Sequence, residues 1–245
     1  MLGRKDGKPT APVNLLADMA GGGLLCAFGI CVALLDRYNS GKGQVVDSSM
    51  TEGAAYVASW LFKSKKLPYF NESRGYNYLD GNSFFYDTYE TKDGKFMSVG
   101  ALEPQFFTEF IKGLGLQDRN IEQMDSDNDE IKKLIEATFK QNTQKEWCDI
   151  FDNTDACVFP VVDWEDVADH SQHTYRKSFI RKDGDIIPVP APRLSRTPAT
   201  SSALKQPINN DQTNEEILVE IGYDHVSIAK LKEEGTILVP NRSKL

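Results

Sequence analysis

One long uncharged stretch near the start of the chain constrains the fold more than any other feature. None of the seventeen residues 19–35 is charged, and Asp18 stands immediately before them. A stretch of this length comes close to the lower limit for a membrane-spanning helix. Three consecutive glycines reduce its hydrophobicity, however, and the remaining sequence has no second stretch like it. We therefore predict a buried core helix over residues 14–38 and no membrane span.

Asp18 and the glycines that follow it each allow two interpretations. Asp18 is either a carboxylate favoured by the dipole of the first helical turn or a proton-transfer group. Each of Gly21, Gly22 and Gly23 costs about 1 kcal/mol in a helix interior relative to alanine, so something must offset the cost. Close approach of a neighbouring backbone would do so, and so would a ligand at the start of the helix. The local sequence leaves all of these open.

Composition excludes several classes of function. The formal net charge of -8 argues against a surface that binds nucleic acid or an anionic membrane, because those partners bind clusters of Lys and Arg. The four cysteines lack the spacing of metal ligands, so we predict no metal site and a reduced, intracellular protein.

Hydrophobic periodicity places further elements along the chain. A short strand is predicted at residues 44–48, and a second helix from Met50 to about Lys65. Residues 84–90 and 95–100 are rich in β-formers and flank an Asp-Gly step, which predicts a hairpin. Helices are expected after Pro104, over residues 128–140, and from about Thr143. An extended segment covers 183–210, and capped helices follow at Thr213 and Asp224.

Four separated motifs resemble the family III CoA-transferase superfamily, and within it the branch of racemases that act on 2-methyl-branched acyl-CoA thioesters. The motifs are Ala11-Pro-Val-Asn-Leu-Leu-Ala-Asp-Met-Ala-Gly-Gly-Gly23, Ser40-Gly-Lys-Gly-Gln-Val-Val-Asp47, Arg74-Gly-Tyr-Asn-Tyr-Leu-Asp-Gly81 and Val99-Gly-Ala-Leu-Glu-Pro-Gln-Phe-Phe107. They occur in the family's order, and the resemblance extends from about Leu2 to the C-terminal helices.

The resemblance implies removal and return of the α-proton through an enolate-like intermediate. The family's catalytic aspartate falls on Asp18, and its glutamate, which orients a catalytic histidine, falls on Glu103. The backbone N–H at the aspartate position would face the thioester oxygen, as in an oxyanion hole. No separate cofactor is implied, because CoA is part of the acyl-CoA substrate.

Leu79, Asp80 and Tyr86 fall in the loop and strand that resemble the family's substrate wall on the acyl side. The family commonly has Gly-Ala-Pro where this chain has Asn82-Ser83-Phe84. This departure affects the shape of the loop, and with it the substrate preference.

The family's catalytic histidine lies in a Gly-His-Asp segment upstream of the aspartate, and the sequence begins after that position. His170, His173 and His225 do not match it. We therefore expect the chain alone to be impaired, because a positioned proton-transfer group contributes about 10²- to 10⁴-fold. Two alternatives stay open: a CoA-transferase that uses Asp18 as nucleophile, and a non-catalytic short form that pairs with a full-length chain.

The resemblance also implies an α/β fold in which an incomplete Rossmann-like large domain joins a small α+β domain, normally in an interlocked homodimer. We expect five regions: the large-domain remnant with the active-site helix, 1–50; a linker helix and loop, 51–83; the small domain, 84–172; an extended return linker, 173–210; and C-terminal helices with a targeting tail, 211–245. The apolar face of the first helix would pack on the absent sheet and is expected to be exposed without it.

The sequence ends in Ser243-Lys244-Leu245, which is a peroxisomal import address when it forms the free C-terminus. We predict a peroxisomal protein, and the sequence leaves mitochondria open as a second location.

Overall fold

The structure is a computed structural model that describes residues 2–67, 70–124, 128–204 and 213–237. The chain forms two compact units, residues 1–161 and 162–245. Ser243-Lys244-Leu245 lies outside the described residues.

The first unit opens with a π-helix, Leu15–Leu24, that continues as the α-helix α1, Leu25–Ser40. The Met19 N–H donates to the Asn14 carbonyl oxygen at 3.0 Å, five residues back, as a π-helix requires. Gly41, in the left-handed region with φ 73°, ends α1. The predicted helix is therefore present, although its first part is not an α-helix.

The predicted burial of this helix is wrong. No residue of α1 is buried, and Gly21 is the buried residue of the π-helix. Large apolar side chains such as Phe28, which is 63% exposed, face outward, because no described element covers them. By length and composition, Leu15–Ser40 could cross a membrane. The absence of a membrane span thus stays a prediction, whereas the expected exposed apolar surface is observed.

Two short helices follow, α2, Met50–Val57, and α3, Ser59–Ser64. The Ser49 hydroxyl caps α2 by accepting the Glu52 N–H at 3.4 Å. The predicted single helix is therefore divided near Ala58. The strand predicted at residues 44–48 is not formed, because no described strand pairs with that segment.

An antiparallel sheet of three strands forms the centre of the first unit. Strands β1, Tyr86–Glu90, β2, Phe96–Gly100, and β3, Val158–Val161, are paired in that order. The predicted hairpin between β1 and β2 is confirmed, and its turn is closed by the Thr91 N–H, which donates to the Lys95 carbonyl at 2.8 Å. Gly94, with φ 75°, supplies the left-handed residue of the turn.

Three predicted helices beside this sheet are confirmed: α4, Pro104–Gly113, α5, Asn128–Phe139, and α6, Gln144–Phe151. Their inward side chains form an aromatic core with the hairpin, in which Phe110 and Phe139 are fully buried. Burial of such a side chain stabilises the fold by about 1.5–3 kcal/mol. The Trp147 Nε1–H donates to the Phe139 carbonyl at 2.8 Å, so its polar atom is satisfied inside the core.

The second unit contains α7, Ser171–Arg176, a hairpin of β4, Phe179–Lys182, and β5, Asp185–Pro188, and two helices, α8, Asn214–Glu220, and α9, His225–Glu233. The predicted caps are confirmed: Thr213 and Glu216 form a capping box, and Asp224 accepts the Ser227 N–H at 2.7 Å. The segment expected to be extended from residue 183 begins as β5, and residues 205–210 lie outside the description.

Candidate functional site

Asp18 lies on the π-helix with an exposed side chain. Two successive residues before this helix, Val13 and Asn14, have left-handed φ values of 50° and 59°. A β-branched residue in that region stores about 1–3 kcal/mol of strain, which surrounding structure must hold in place. The π-helix is rare, occurs mostly as single turns and is frequent at functional sites. The segment that presents Asp18 is thus locally unusual.

The three glycines after Asp18 have different surroundings. A Cβ on Gly21 would lie 2.5 Å from the Ala54 nitrogen of α2, which is closer than real side chains approach. A Cβ on Gly22 or Gly23 would lie 3.4 Å from the Ala17 oxygen or 3.6 Å from the Asp18 oxygen, both tolerable distances. Helix packing therefore explains Gly21 but not the two glycines that follow.

Asp80 organises the loop before β1. Its carboxylate accepts the Gly75 N–H at 2.7 Å, the Asn77 N–H at 2.9 Å and an Nδ2–H of Asn77 at 2.7 Å. Gly75, with φ 81°, provides a backbone conformation that side chains rarely adopt. The Asp80 side chain thus fixes the path of residues 75–80.

An open groove of about 530 Å³ lies between this loop and the sheet. Its apolar walls come from Tyr86, Val99, Gly100, Cys157 and Phe159, and its polar lining comes from Arg4, Asp80, Asp87, Thr88 and Ser98. Of the sequence-predicted site residues, all of which are described, Asp80 and Tyr86 line the groove. Asp18, Leu79 and Glu103 do not.

Glu103 is the N-cap residue of α4 and is exposed, with φ -81° and ψ 144°. Its carbonyl accepts the Phe107 N–H at 3.0 Å, while its carboxylate makes no capping hydrogen bond. Burial first, and then the charge of Glu103, raise the pKa of the Cys157 thiol. The glutamate is therefore close enough to act electrostatically on a side chain that lines the groove.

Sequence reasoning missed a charged cluster beside the groove. Asp87, with a side chain only 4% exposed, forms ion pairs with Arg4 and Lys132. Burial acts to raise the pKa of Asp87, but the hydrogen bonds from Arg4 and Lys132 outweigh it, and the pKa lies below its ordinary value. Lys132 also donates to the Gly81 carbonyl at 2.7 Å, which ties α5 to the loop. A charge at an inward position of β1 was the signal in the sequence.

The described residues contain no group of three or more His, Cys, Asp or Glu side chains that could hold a metal ion. His170, His173 and His225 lie in residues 162–245, whereas Asp18 and Glu103 lie in residues 1–161. The first unit thus offers carboxylates, one tyrosine and a thiol at the groove, but no imidazole.

The fold described above is also found among solved structures. A CAIB/BAIF family protein from Brucella suis is similar, with a TM-score of 0.62 at 20% identity over 81% of this chain and 53% of that chain. The chain belongs to CoA-transferase family III, whose family model matches residues 1–213.

Two curated relatives span almost the whole chain. The human protein named alpha-methylacyl-CoA racemase is 48% identical over 239 residues, which are 96% of this chain and 62% of that protein. The mouse protein named succinyl-CoA:glutarate CoA-transferase is 26% identical over 96% of this chain and 56% of that protein. The chain therefore spans less than two thirds of the length of these relatives.

Proposed function

We propose that the chain is the Asp18- and Glu103-bearing portion of a racemase that interconverts (2R)- and (2S)-2-methylacyl-CoA. The observation that carries the proposal is the 48% identity to the human racemase over 96% of this chain. Asp18 and Glu103 fall on the positions of the family's aspartate and glutamate, and a positioned carboxylate is a side chain that can transfer protons.

In the proposed reaction, one group removes the α-proton of the thioester and a second group returns a proton on the opposite face. The C–H electron pair moves into the thioester carbonyl to give an enolate, and it returns to carbon when the new proton binds. Asp18 would transfer the proton on one face. Glu103 would hold and orient the group that acts on the other face. No net oxidation occurs, and the reaction needs no cofactor beyond the CoA of the substrate.

The groove beside β1 is the proposed site for the acyl chain. Tyr86, Cys157 and Phe159 provide apolar surface, and burying apolar area there would favour a branched acyl group by about 25 cal/mol per Å². In this proposal Asp80 acts through the loop that it organises, and Leu79 is a half-buried residue of the same loop.

The second candidate is a CoA-transferase in which Asp18 is the nucleophile. The mouse transferase, matched over 96% of this chain, supports this alternative. In that chemistry the Asp18 carboxylate would attack the thioester carbonyl, release CoA thiolate and become an acyl anhydride. The CoA thiolate would then attack the aspartyl carbonyl to give an aspartyl thioester and release the acyl group as its free carboxylate. Mass spectrometric detection of such a thioester at Asp18 would favour the transferase over the racemase.

Deuterium exchange at the α-carbon tests the proposed racemase. We would incubate the chain with a 2-methylacyl-CoA in deuterated water and follow both deuterium uptake and the ratio of the two epimers, with the human racemase as positive control. Since none of His170, His173 and His225 matches the family's histidine position, we expect impaired inversion by the chain alone. Uptake that keeps the configuration would indicate that Asp18 acts on one face, and absence of uptake would count against the proposal.

The family resemblance further supports an interlocked homodimer for the full-length form, or a pair of this chain with a full-length chain. Size-exclusion chromatography with light scattering, with and without a full-length partner, distinguishes these states from a monomer.

We also propose peroxisomal import through Ser243-Lys244-Leu245. A fluorescent fusion that ends in this tripeptide should reach peroxisomes, and the same fusion without it should not.

A further inference from the structure

Gln123 holds the backbone that leads into Glu103. Its Nε2 lies 3.2 Å from the Ala101 carbonyl oxygen and 2.7 Å from the Leu102 carbonyl oxygen, and it donates to both. On the other side, the Ala101 N–H donates to the Phe85 carbonyl at 3.0 Å. The two residues before the glutamate are thus fixed from two directions.

The Glu103 side chain depends on this support. It is exposed and makes no capping hydrogen bond, so its backbone anchor determines where the carboxylate can reach. A displacement of about 1 Å in a positioned catalytic group can cost about 10²-fold in rate. A side chain that fixes the anchor therefore matters to the chemistry without touching the substrate.

We propose that Gln123 is a positioning residue for Glu103, in that its amide clamps the Ala101 and Leu102 carbonyls and so sets the direction of the glutamate. This inference rests on the proposed function, in which Glu103 orients a proton-transfer group. Gln123 does not line the groove and has no direct part in the reaction.

The chain contains a matched control. Gln144 uses the same chemistry elsewhere: its Nε2 donates to the Phe96 carbonyl at 2.8 Å and to the Val161 carbonyl at 3.1 Å, at the other end of β2 and β3. Gln123→Leu and Gln144→Leu each remove one amide that bridges two carbonyls. Comparison of the two variants separates loss of a structural clamp from loss of Glu103 positioning.

The kinetic test measures kcat and KM for α-proton exchange by the proposed full-length form, in which Glu103 orients the family's histidine, in wild type, Q123L, Q144L, E103Q and the double variant E103Q/Q123L. We expect Q123L to lower kcat at least about tenfold with little change in KM, whereas Q144L stays near wild type. In the E103Q background, Q123L should have no further effect. An equal kcat loss in Q123L and Q144L, or a full Q123L effect without Glu103, would overturn the inference.

A second measurement separates this inference from the proposed function. The Phe107 N–H, which donates to the Glu103 carbonyl, should exchange with deuterated water at least about tenfold faster in Q123L than in wild type or Q144L. The Gly94 N–H, which donates to the Thr91 carbonyl in the hairpin turn, is the internal reference and should not change. Unaltered Phe107 protection in Q123L overturns the inference. If wild type exchanges no substrate proton, the proposed function fails, and Phe107 protection alone decides the role of Gln123.

Discussion

Gly21 and Gly53 meet where the π-helix crosses α2, and neither position has room for a side chain. A Cβ on Gly53 would lie 1.9 Å from the Gly21 carbonyl oxygen, and a Cβ on Gly21 would lie 2.8 Å from the Gly53 carbonyl carbon. The segment that carries Asp18 thus meets α2 backbone to backbone at this crossing.

This contact predicts that Gly53→Ala destabilises the first unit. The added methyl forces the two helices apart, which we expect to cost about 1–3 kcal/mol in the free energy of unfolding. Gly22→Ala is the control, because its Cβ would lie no closer than 3.4 Å to a neighbour and alanine favours a helix. Urea unfolding measures both variants. Equal stability of the two would show that the close approach is absent in solution.

Asp87 gives a pH-dependent prediction. Its pKa is depressed in the fold, so its contribution to stability is present above the pKa of the unfolded chain, about 3.9, and is lost as the pH falls through the lower folded pKa. Asp87→Asn removes both ion pairs, but the Arg4 side chain is 54% exposed and Lys132 keeps its hydrogen bond to the Gly81 carbonyl, so we expect a cost of about 1.5–3 kcal/mol at pH 7. Urea unfolding from pH 7 to pH 2 should show the difference from wild type shrinking below about pH 4. A constant difference would contradict the ion pairs.

Asp18→Asn should remove α-proton exchange, with a loss of about 10²- to 10⁴-fold relative to the unaltered chain. Asp36→Asn is the control, because Asp36 lies on α1, which continues directly from the π-helix, and pairs with the Ser40 hydroxyl at 3.3 Å. Exchange followed by mass spectrometry distinguishes them. Similar losses in both variants would indicate a general effect on the helix, not proton transfer by Asp18.

The raised pKa of Cys157 predicts slow alkylation. Burial and the Glu103 charge favour the neutral thiol, which is the unreactive form. We expect iodoacetamide to modify Cys157 more slowly than exposed Cys31 at pH 7.5. Glu103→Gln should accelerate the Cys157 reaction, because removal of the negative charge lowers the thiol pKa. Peptide mass spectrometry after timed quenching gives both rates. An unchanged Cys157 rate in the variant would show that the Glu103 charge does not act on this thiol.

Local signals in the sequence predicted the hairpin at Asp93-Gly94 and the capped helices at Thr213 and Asp224, because turn and cap chemistry is contained within a few residues. The strand at residues 44–48 could not be decided this way, since a strand needs a partner that the local sequence does not contain. The burial of residues 15–40 failed for the same reason. An apolar pattern indicates that burial would be favourable, but burial also requires a second element that packs against the helix.

Some residues of the candidate site could likewise be found from the sequence, and others only from the fold. Asp18 and Glu103 were found through motifs, and their local surroundings alone favour ordinary helix-start carboxylates. The Asp87 cluster and the Gln123 clamp each join residues more than twenty positions apart. The sequence marks Asp87 as a charge at an inward position of β1, but it does not name the partners in either pairing, and only the folded chain identifies them.

The loop before β1 has a practical consequence for anyone who wishes to alter acyl preference. Among the described residues, the three N–H donors to the Asp80 carboxylate come from its own loop. Substitution of Asp80 would therefore change the backbone path of residues 75–80 as well as the lining of the groove. Tyr86 and Phe159 stand on strands whose hydrogen bonds persist whatever side chain they carry. A library confined to positions 86 and 159 would therefore vary the side chains that line the groove while leaving the strand pairing intact.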